Sequence, residues 1–178
     1  MNVTVFEAIN ITKKYRNTLA LNQVSMSVMQ GDIYGFIGEN GAGKTTMIRL
    51  LTGLAEPTTG KIALFGESNK KLAKQRERIG CIIESPSLYL DMTAYENLEV
   101  QRLQRGIPGK GCIDNALALV GLKDTGKKKA KDFSLGMRQR LALAIALLGN
   151  PEFLVLDEPI NGLDPTGIIA SLPPLGEP

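Results

Sequence analysis

The sequence contains no histidine among its 178 residues. This absence excludes catalytic triads that depend on imidazole, histidine-ligated zinc or haem, and any imidazole general base. Only two cysteines are present, Cys81 and Cys112, and they do not form a CxxC motif. The sequence therefore indicates neither a disulfide framework nor a thiolate metal site, and we interpret both cysteines as reduced cytosolic thiols.

Long apolar runs and a strong charge of one sign are also missing. The longest apolar stretch covers residues 141–149, about half the length that a membrane-spanning helix needs. The first residues carry neither the basic patch nor the apolar run of a signal peptide. Lysine and arginine number 21 against 18 acidic residues, and a net charge of +3 does not indicate a nucleic-acid or membrane-surface partner. We expect a soluble chain that reaches a membrane only through a partner.

Composition and length predict one globular domain, because 43% of the residues are hydrophobic and 22% are charged. Alternating apolar residues predict half-buried strands, and uninterrupted apolar runs predict buried strands. The alternating segments are residues 4–9 and 24–28, the apolar runs are residues 33–37, 79–83 and 153–156, and residues 61–65 are also strand-like. Helical spacing predicts helices over residues 45–51, 70–78, 93–105, 114–120 and 134–148. This order predicts an α/β core that encloses an insertion of helices.

Residues 38–45 read GENGAGKT and match the phosphate-binding loop GxxxxGK[ST]. The loop follows a predicted buried strand and precedes a predicted helix, which is the context that the motif requires. Glycines let successive backbone N–H groups turn toward an anion, and the start of the helix adds partial positive charge. We expect Lys44 to reach the β- and γ-phosphates of a nucleotide and the Thr45 hydroxyl to ligate Mg²⁺. The residues predicted to surround the phosphates are Gly38, Asn40, Gly41, Ala42, Gly43, Lys44, Thr45 and Thr46.

Two carboxylates, Asp157 and Glu158, follow the last predicted strand. A carboxylate at the end of such a strand can hold Mg²⁺ opposite the phosphate-binding loop, and we assign this role to Asp157. Glu158 points elsewhere and can polarise an attacking water. By itself, an apolar run before two acids usually marks a strand that meets solvent, but its pairing with the phosphate-binding loop favours a catalytic site.

Three further segments carry a family resemblance. Residues 133–140 read FSLGMRQR, residues 161–165 read NGLDP, and residues 79–84 are followed by Ser85 and Pro86. They resemble the signature motif, the D-loop and the Q-loop of the nucleotide-binding domain of ATP-binding cassette (ABC) transporters, in which Asp157 and Glu158 end the Walker B strand. Tyr15 stands where this family places an aromatic residue that stacks on adenine. The resemblance covers residues 5–166, with the motifs in the family's order.

The resemblance implies the α/β fold of P-loop NTPases, with a RecA-like core, the family's antiparallel β subdomain and a helical subdomain. We expect residues 1–84 and 151–167 in the α/β core, residues 85–150 in the helical subdomain, and residues 168–178 in an atypical tail.

The motifs depart from the family's pattern at three positions. Glu84 stands where the Q-loop has glutamine, and Leu135 and Met137 replace the first glycine and the glutamine of the signature. Glu84 would add a negative charge beside the metal, so we expect it to be both a metal ligand and a catalytic residue. The combination resembles the branch of the family that exports peptide antibiotics such as bacitracin and lantibiotics.

The resemblance implies an ATPase subunit that binds ATP and Mg²⁺ and powers a membrane transporter. Two such domains, as a homodimer or a heterodimer, would face each other, and each would present Ser134 and Gly136 to its neighbour's nucleotide. ATP would hold the two domains together and its hydrolysis would release them. The implied partners are membrane-spanning subunits at the inner face of the cell membrane, with the ATPase in the cytoplasm, and no nucleic acid.

The sequence after Gly167 departs from the family more strongly. Pro173 and Pro174 end any helix that begins there, and the family's next strand and switch histidine have no counterpart. In the family that strand lies between the strand before the phosphate-binding loop and the strand that ends at Asp157. Its loss would leave main-chain groups of both strands unpaired. We interpret the chain as a truncated domain that binds nucleotide poorly and hydrolyses it slowly, unless a second polypeptide supplies the strand.

Other classes of protein remain as alternatives. An ABC-type protein of DNA repair or translation would usually carry coiled-coil arms or tandem cassettes, and this sequence has neither. A GTPase would show an NKxD motif, which is absent, and a small-molecule kinase would not need the segment around Ser134 and Gly136. The main alternative is a truncated or degenerate nucleotide-binding module with little or no turnover.

Overall fold

The computed structural model describes residues 3–83 and 87–157. The chain forms two compact units that divide between Ile79 and Gly80. The domain boundaries expected from the sequence, after residues 84 and 150, stay a prediction. None of the helices in the described part of the chain is long and apolar enough to cross a membrane.

The first unit is built on a four-stranded antiparallel sheet, as the family resemblance implies. Its strands are β1 (Thr4–Tyr15), β2 (Thr18–Met29), β3 (Thr59–Leu64) and β4 (Glu67–Ser68), in the order β2-β1-β3-β4. Phe6 on β1 lies opposite Val28 on β2 and Leu64 on β3, and all three side chains are buried. Alternation of apolar residues therefore gives the sheet one buried face, which confirms the strands predicted from the pattern.

Two short helices complete the first unit. Helix α1 (Lys44–Thr52) buries Met47, Leu50 and Leu51, and it ends at Gly53, whose left-handed φ of 82° suits glycine. A single turn of 3₁₀ helix at Asn69–Lys71 leads into α2 (Leu72–Arg76). The Arg76 guanidinium donates to the carbonyls of Leu50 and Leu51, which satisfies acceptors at the end of α1.

The prediction of a buried strand at residues 33–37 is wrong. Among the described residues neither sheet includes this segment, and Ile33 and Ile37 are 80% and 94% exposed. Tyr34 and Phe36 are exposed as well. A central strand is held by hydrogen bonds to neighbours on both sides, and no described strand pairs with this segment. An apolar run predicts burial only where such neighbours are present.

The described residues of the second unit form three α-helices, two single turns of 3₁₀ helix at Lys123–Thr125 and Ala130–Asp132, and a two-stranded sheet. Its strands are β5 (Ile79–Ile82), which begins at the boundary, and β6 (Phe153–Leu156), and its helices are α3 (Ala94–Gln104), α4 (Gly111–Leu119) and α5 (Leu135–Leu147). All five agree with the predicted elements to within a few residues. A core that includes Leu98, Ile113 and Leu141, each fully buried, joins the three helices. A Cβ on Gly80 would collide with the Ala146 carbonyl, so glycine lets β5 lie directly against α5.

Both cysteines are free thiols in the structure. Burial raises the pKa of the Cys81 thiol, and the nearby Arg105 guanidinium only partly opposes this effect. The Cys81 thiol is therefore neutral near pH 7.

Candidate nucleotide-binding site

The glycine-rich loop turns the main chain into helix α1. Gly41 and Gly43 have φ values of 85° and 91°, in the left-handed region that favours glycine. The Ala42 N–H donates to the Glu39 carbonyl over 3.1 Å, and the Met47 N–H donates to the Gly43 carbonyl over 2.9 Å. The loop predicted from the motif is therefore present as a compact turn that ends at the first residue of the helix.

Lys44 folds back over this turn. Its ammonium donates to the carbonyls of Gly38 and Glu39 over 2.7 and 2.8 Å. The positive charge is thereby held against residues 38–43, the segment predicted to surround the phosphates. Neutral carbonyl oxygens are weaker partners for an ammonium than phosphate oxygens, so a phosphate group entering the loop can replace them.

The start of α1 suits an anion. No side chain of the described residues caps this helix, and its first turn contains no acidic residue. Main-chain N–H groups at a helix start favour negative charge, and they gain a partner when an anion binds there. Thr45 and Thr46 lie in this first turn and are partly buried, whereas Asn40 in the loop is exposed.

The loop is fixed to the β1–β2 hairpin through Gly43. A Cβ at this position would lie 2.5 Å from the Ala20 carbonyl oxygen and 2.7 Å from Leu21 Cδ2. Leu21 pairs with Lys13 on β1, and Tyr15, two residues further along β1, pairs with Thr18. Since a strand rises about 3.4 Å per residue, Tyr15 lies about 7 Å along the strand from the pair that supports the loop. The structure thus brings Tyr15, which is 41% exposed, to the end of the hairpin that contacts the glycine-rich loop.

Asp157 follows β6 directly in the second unit. Its N–H donates to the Ile82 carbonyl over 2.9 Å, and its side chain is only 9% exposed. The structure therefore places this carboxylate at the end of the predicted strand, beside the end of β5. Among the described residues no three acidic or cysteine side chains cluster into a metal cage. A carboxylate oxygen still suits Mg²⁺, which takes few protein oxygens alongside phosphate oxygens.

The signature segment begins α5. Ser134 is the N-cap of this helix, and its hydroxyl accepts a hydrogen bond from the Met137 N–H over 3.2 Å. Ser134 is exposed, Gly136 is partly buried, and the Leu135 side chain between them is 68% exposed. Ser134 and Gly136 therefore lie at a helix start that offers main-chain N–H groups, as predicted.

Two residues near the site were not predicted from the sequence. Arg138 donates to the carbonyls of Ala130 and Lys131, over 3.2 and 2.7 Å, and so fixes the first turn of α5 to the preceding segment. The ammonium of Lys13 lies 4.7 Å from the centre of the Tyr15 ring. The two-residue spacing of Lys13 and Tyr15 on one strand was the only sequence signal for that contact.

Several predicted residues lie outside the described part of the chain. They are Glu84 of the Q-loop, Glu158 after Asp157, and the D-loop at residues 161–165. Their assigned roles stay predictions.

A glycine-rich turn that leads into a helix, with a lysine at the first helical position, defines the class of P-loop nucleotide-binding proteins. The ABC transporter family model matches residues 21–161, which include this loop, the signature segment and Asp157. The chain belongs to the ABC transporter family.

Named relatives are similar over almost the whole chain. The bacitracin transport ATP-binding protein BcrA of Bacillus licheniformis is 50% identical over 166 residues, which are 93% of this chain and 54% of that protein. The lantibiotic transport ATP-binding protein SrtF of Streptococcus pyogenes is 43% identical over 159 residues, which are 89% of this chain and 68% of that protein. The chain spans about half the length of the first of these relatives.

Solved structures of the family have a similar fold. A structure of cbiO1 from Clostridium perfringens, described as part of the ABC transporter complex cbiONQ, is 28% identical with a TM-score of 0.81. The match covers 94% of this chain and 70% of that one. The ATP-binding cassette MJ0796, solved as a dimer bound to ADP and Pi, is 25% identical with a TM-score of 0.79, over 93% of this chain and 79% of that one.

Proposed function

We propose that the chain is the nucleotide-binding part of a subunit that binds and hydrolyses ATP to power a membrane transporter. The observation that carries this proposal is the loop at residues 38–45. Left-handed Gly41 and Gly43 lead into a helix start that no described side chain caps, and the Lys44 ammonium is held over the loop by two carbonyls. This combination of main-chain N–H groups and one cation suits a triphosphate.

The residues of the first unit would act as follows. Main-chain N–H groups of the loop and the first turn of α1 bind the phosphates, and Lys44 neutralises charge on the β- and γ-phosphates. The exposed ring of Tyr15, at the same end of the hairpin, stacks on the base. The Thr45 hydroxyl is a ligand of Mg²⁺, which when bound neutralises charge on the phosphate oxygens.

We assign the remaining roles to residues after β5. The Asp157 carboxylate is the second protein ligand of Mg²⁺, and Glu84 acts beside it as a ligand and catalytic residue. Glu158 accepts a proton from the attacking water. Ser134 and Gly136, at the start of α5, bind the γ-phosphate held by a second nucleotide-binding domain, in a homodimer or a heterodimer.

The family and the relatives support a proposal about partners. BcrA and SrtF are named for transport of bacitracin and of a lantibiotic, which supports the exporter branch for this chain. We propose membrane-spanning subunits as partners and a location in the cytoplasm, at the inner face of the membrane, through those subunits.

One observation favours a second candidate, a nucleotide-binding module with little or no turnover. Residues 33–37 lead into the phosphate-binding loop, and they pair with no described strand. Hydrolysis needs aligned reacting groups, and a misplacement of about 1 Å can slow it about a hundredfold.

Binding and turnover measured on the full chain separate these functions. Lys44→Met should weaken binding of MgATP about tenfold to a hundredfold, since hydrogen bonds to charged groups contribute about 1.5–3 kcal/mol. Lys70→Met, which removes an exposed lysine of the same unit, should leave binding unchanged. Phosphate release that disappears in Glu158→Gln supports the ATPase, and ATP binding without phosphate release supports the module. A cooperatively folded chain that binds no ATP would exclude both.

A further inference from the structure

Lys13 and Tyr15 occupy the same face of β1. Their side chains point to the same side because they are two residues apart on one strand. The Lys13 ammonium lies 4.7 Å from the centre of the Tyr15 ring, within the distance of about 6 Å over which a cation is attracted to a ring face. One face of this ring is therefore covered by a cation of the chain itself.

The Lys13 ammonium is fixed by a second contact. It donates to the Glu56 carbonyl over 2.6 Å. The segment that carries this carbonyl is itself tied to β1, because the Thr58 N–H donates to the Thr12 carbonyl and the Thr58 hydroxyl accepts from the Lys14 N–H. Lys13 is partly buried, whereas its neighbour Lys14 is exposed. The ammonium is thus held between a rigid carbonyl and the ring.

We propose that Lys13 is a positioning residue that holds Tyr15 ready to stack on the base of a nucleotide. This inference rests on the proposed function, in which Tyr15 contacts the base. With Lys13 against one ring face, the opposite face is the one that receives the base. A ring held in place before binding loses less conformational freedom when the base stacks on it. The cation also draws the ring's π electrons away from that open face, which reduces their repulsion with the π electrons of a base.

Two other roles for Lys13 make different predictions. A lysine that simply attracted the negative phosphates would strengthen binding of any triphosphate, with or without a base. A lysine that only supported the fold through Glu56 would affect stability, and its loss would weaken binding of every ligand equally. The positioning role requires an effect that depends on the base and on the Tyr15 ring.

The first experiment titrates the full chain with MgATP and, separately, with inorganic tripolyphosphate. Lys13→Met keeps most of the length of the side chain and removes its charge, and it should weaken ATP binding about two- to fivefold while leaving tripolyphosphate binding unchanged. Lys13→Arg should restore most of the ATP affinity, because a guanidinium also binds a ring face. Lys14→Met, the matched control on the next residue, should bind both ligands as the unaltered chain does.

A double substitution tests whether the effect passes through the ring. In a Tyr15→Leu background, Lys13→Met should weaken ATP binding no further. Equal weakening of ATP and tripolyphosphate by Lys13→Met, or a full effect that persists without the Tyr15 ring, would overturn the inference. Unchanged ATP binding in Lys13→Met would overturn it as well.

A measurement without any nucleotide tests the contact itself. The ring current of Tyr15 should shift the NMR signals of the Lys13 εCH₂ group upfield, and Tyr15→Leu should abolish this shift. Lysine chemical shifts without this upfield displacement in the unaltered chain would show that the contact is absent. That result would overturn the role of Lys13 but not the proposed function. A chain that shows the shift but binds neither ATP nor tripolyphosphate would overturn the proposed function, and with it the role of Lys13 toward a base.

Discussion

Helices α1 and α3 both begin after a loop, but the two loops are held in different ways. Before α3, Thr93 and Glu96 form a capping box, in which the Thr93 hydroxyl accepts the Glu96 N–H and the Glu96 carboxylate accepts the Thr93 N–H. The Tyr89 N–H donates to the side-chain oxygen of buried Asn97, and the Asn97 side-chain amide donates to the Tyr89 carbonyl. Before α1, glycines and a lysine make the turn, and no described side chain caps the helix.

The difference separates a structural helix start from one that can bind a ligand. At α3 the Thr93 hydroxyl accepts the Glu96 N–H, and the Glu96 carboxylate places a negative charge in the first turn, so this start disfavours an anion. At α1 an anion can supply the acceptors. Each unit therefore contains a loop–helix junction, and the residue types in the loop decide which purpose it serves.

The largest effect is expected at the capped start of α3, when the buried Asn97 side chain that holds the preceding loop is removed. Asn97→Ala removes three hydrogen bonds of 2.8–3.0 Å from a side chain that is only 1% exposed. It should lower the free energy of unfolding by about 3–4 kcal/mol. Urea unfolding followed by helical circular dichroism measures this change. Asn115→Ala, at an exposed position of α4, is the control, and an equal loss there would contradict the central role of Asn97.

A smaller effect is expected when a methyl group is added to a glycine of the loop before α1, whose start no described side chain caps. Gly43→Ala combines a left-handed φ with a collision against Ala20 and Leu21, and it should cost about 2–3 kcal/mol of stability. Gly41→Ala meets nothing within 4 Å and should cost only about 1 kcal/mol from its backbone conformation. Urea unfolding of the two variants, followed by tyrosine fluorescence, compares them. Equal losses would show that the contact between the loop and β2 contributes nothing.

The caps of α3 and α5 provide a finer comparison. Thr93→Ala and Ser134→Ala should each destabilise the chain by about 1 kcal/mol, which is typical for loss of an N-cap. Thr93→Ala should cost more, because Thr93 also donates its hydroxyl to Glu96 whereas Ser134 makes one cap bond. The difference in urea midpoint between the two variants measures this ranking. A larger loss for Ser134→Ala would show that the additional bond from the Thr93 hydroxyl to Glu96 does not stabilise the start of α3.

The smallest effect is a pH dependence of the stability that Glu96 contributes at the start of α3. Hydrogen bonds from the Thr93 N–H and hydroxyl hold the pKa of the Glu96 carboxyl below its ordinary value of 4.5. Because the folded state lowers this pKa, the carboxylate stabilises the chain above about pH 4.5, and this stabilisation is lost as the pH falls through the lowered value. Glu96→Gln should therefore be less stable than the unaltered chain at pH 7, and the difference should be smaller near pH 3. A stability difference that stays constant between these pH values would contradict this linkage.

The local signals in the sequence predicted much of the structure. Gly53 ends α1, Ser134 caps α5, and the apolar run at residues 153–156 forms β6, because caps and periodicity act over a few neighbouring residues. The open phosphate-binding loop was predicted for the same reason, since its glycines determine their own backbone conformation.

Features that depend on distant residues were not predicted. The apolar run at residues 33–37 indicated a buried strand, but burial depends on the strands that pair with it. The contact between Lys13 and Tyr15 was missed because it needs Glu56, 43 residues away, to hold the lysine. Arg138 was missed for a similar reason, because its partners are main-chain carbonyls that carry no sequence signal.

The exposed segment at residues 33–37 has a consequence for handling the protein. Its sequence IYGFI carries no charge and no proline, and four of its five residues are β-branched or aromatic. Segments of this kind readily form intermolecular cross-β contacts when they lie open to solvent. Concentrated samples should therefore precipitate more readily than dilute ones, and a lysine in place of Ile37 should raise the concentration at which turbidity begins.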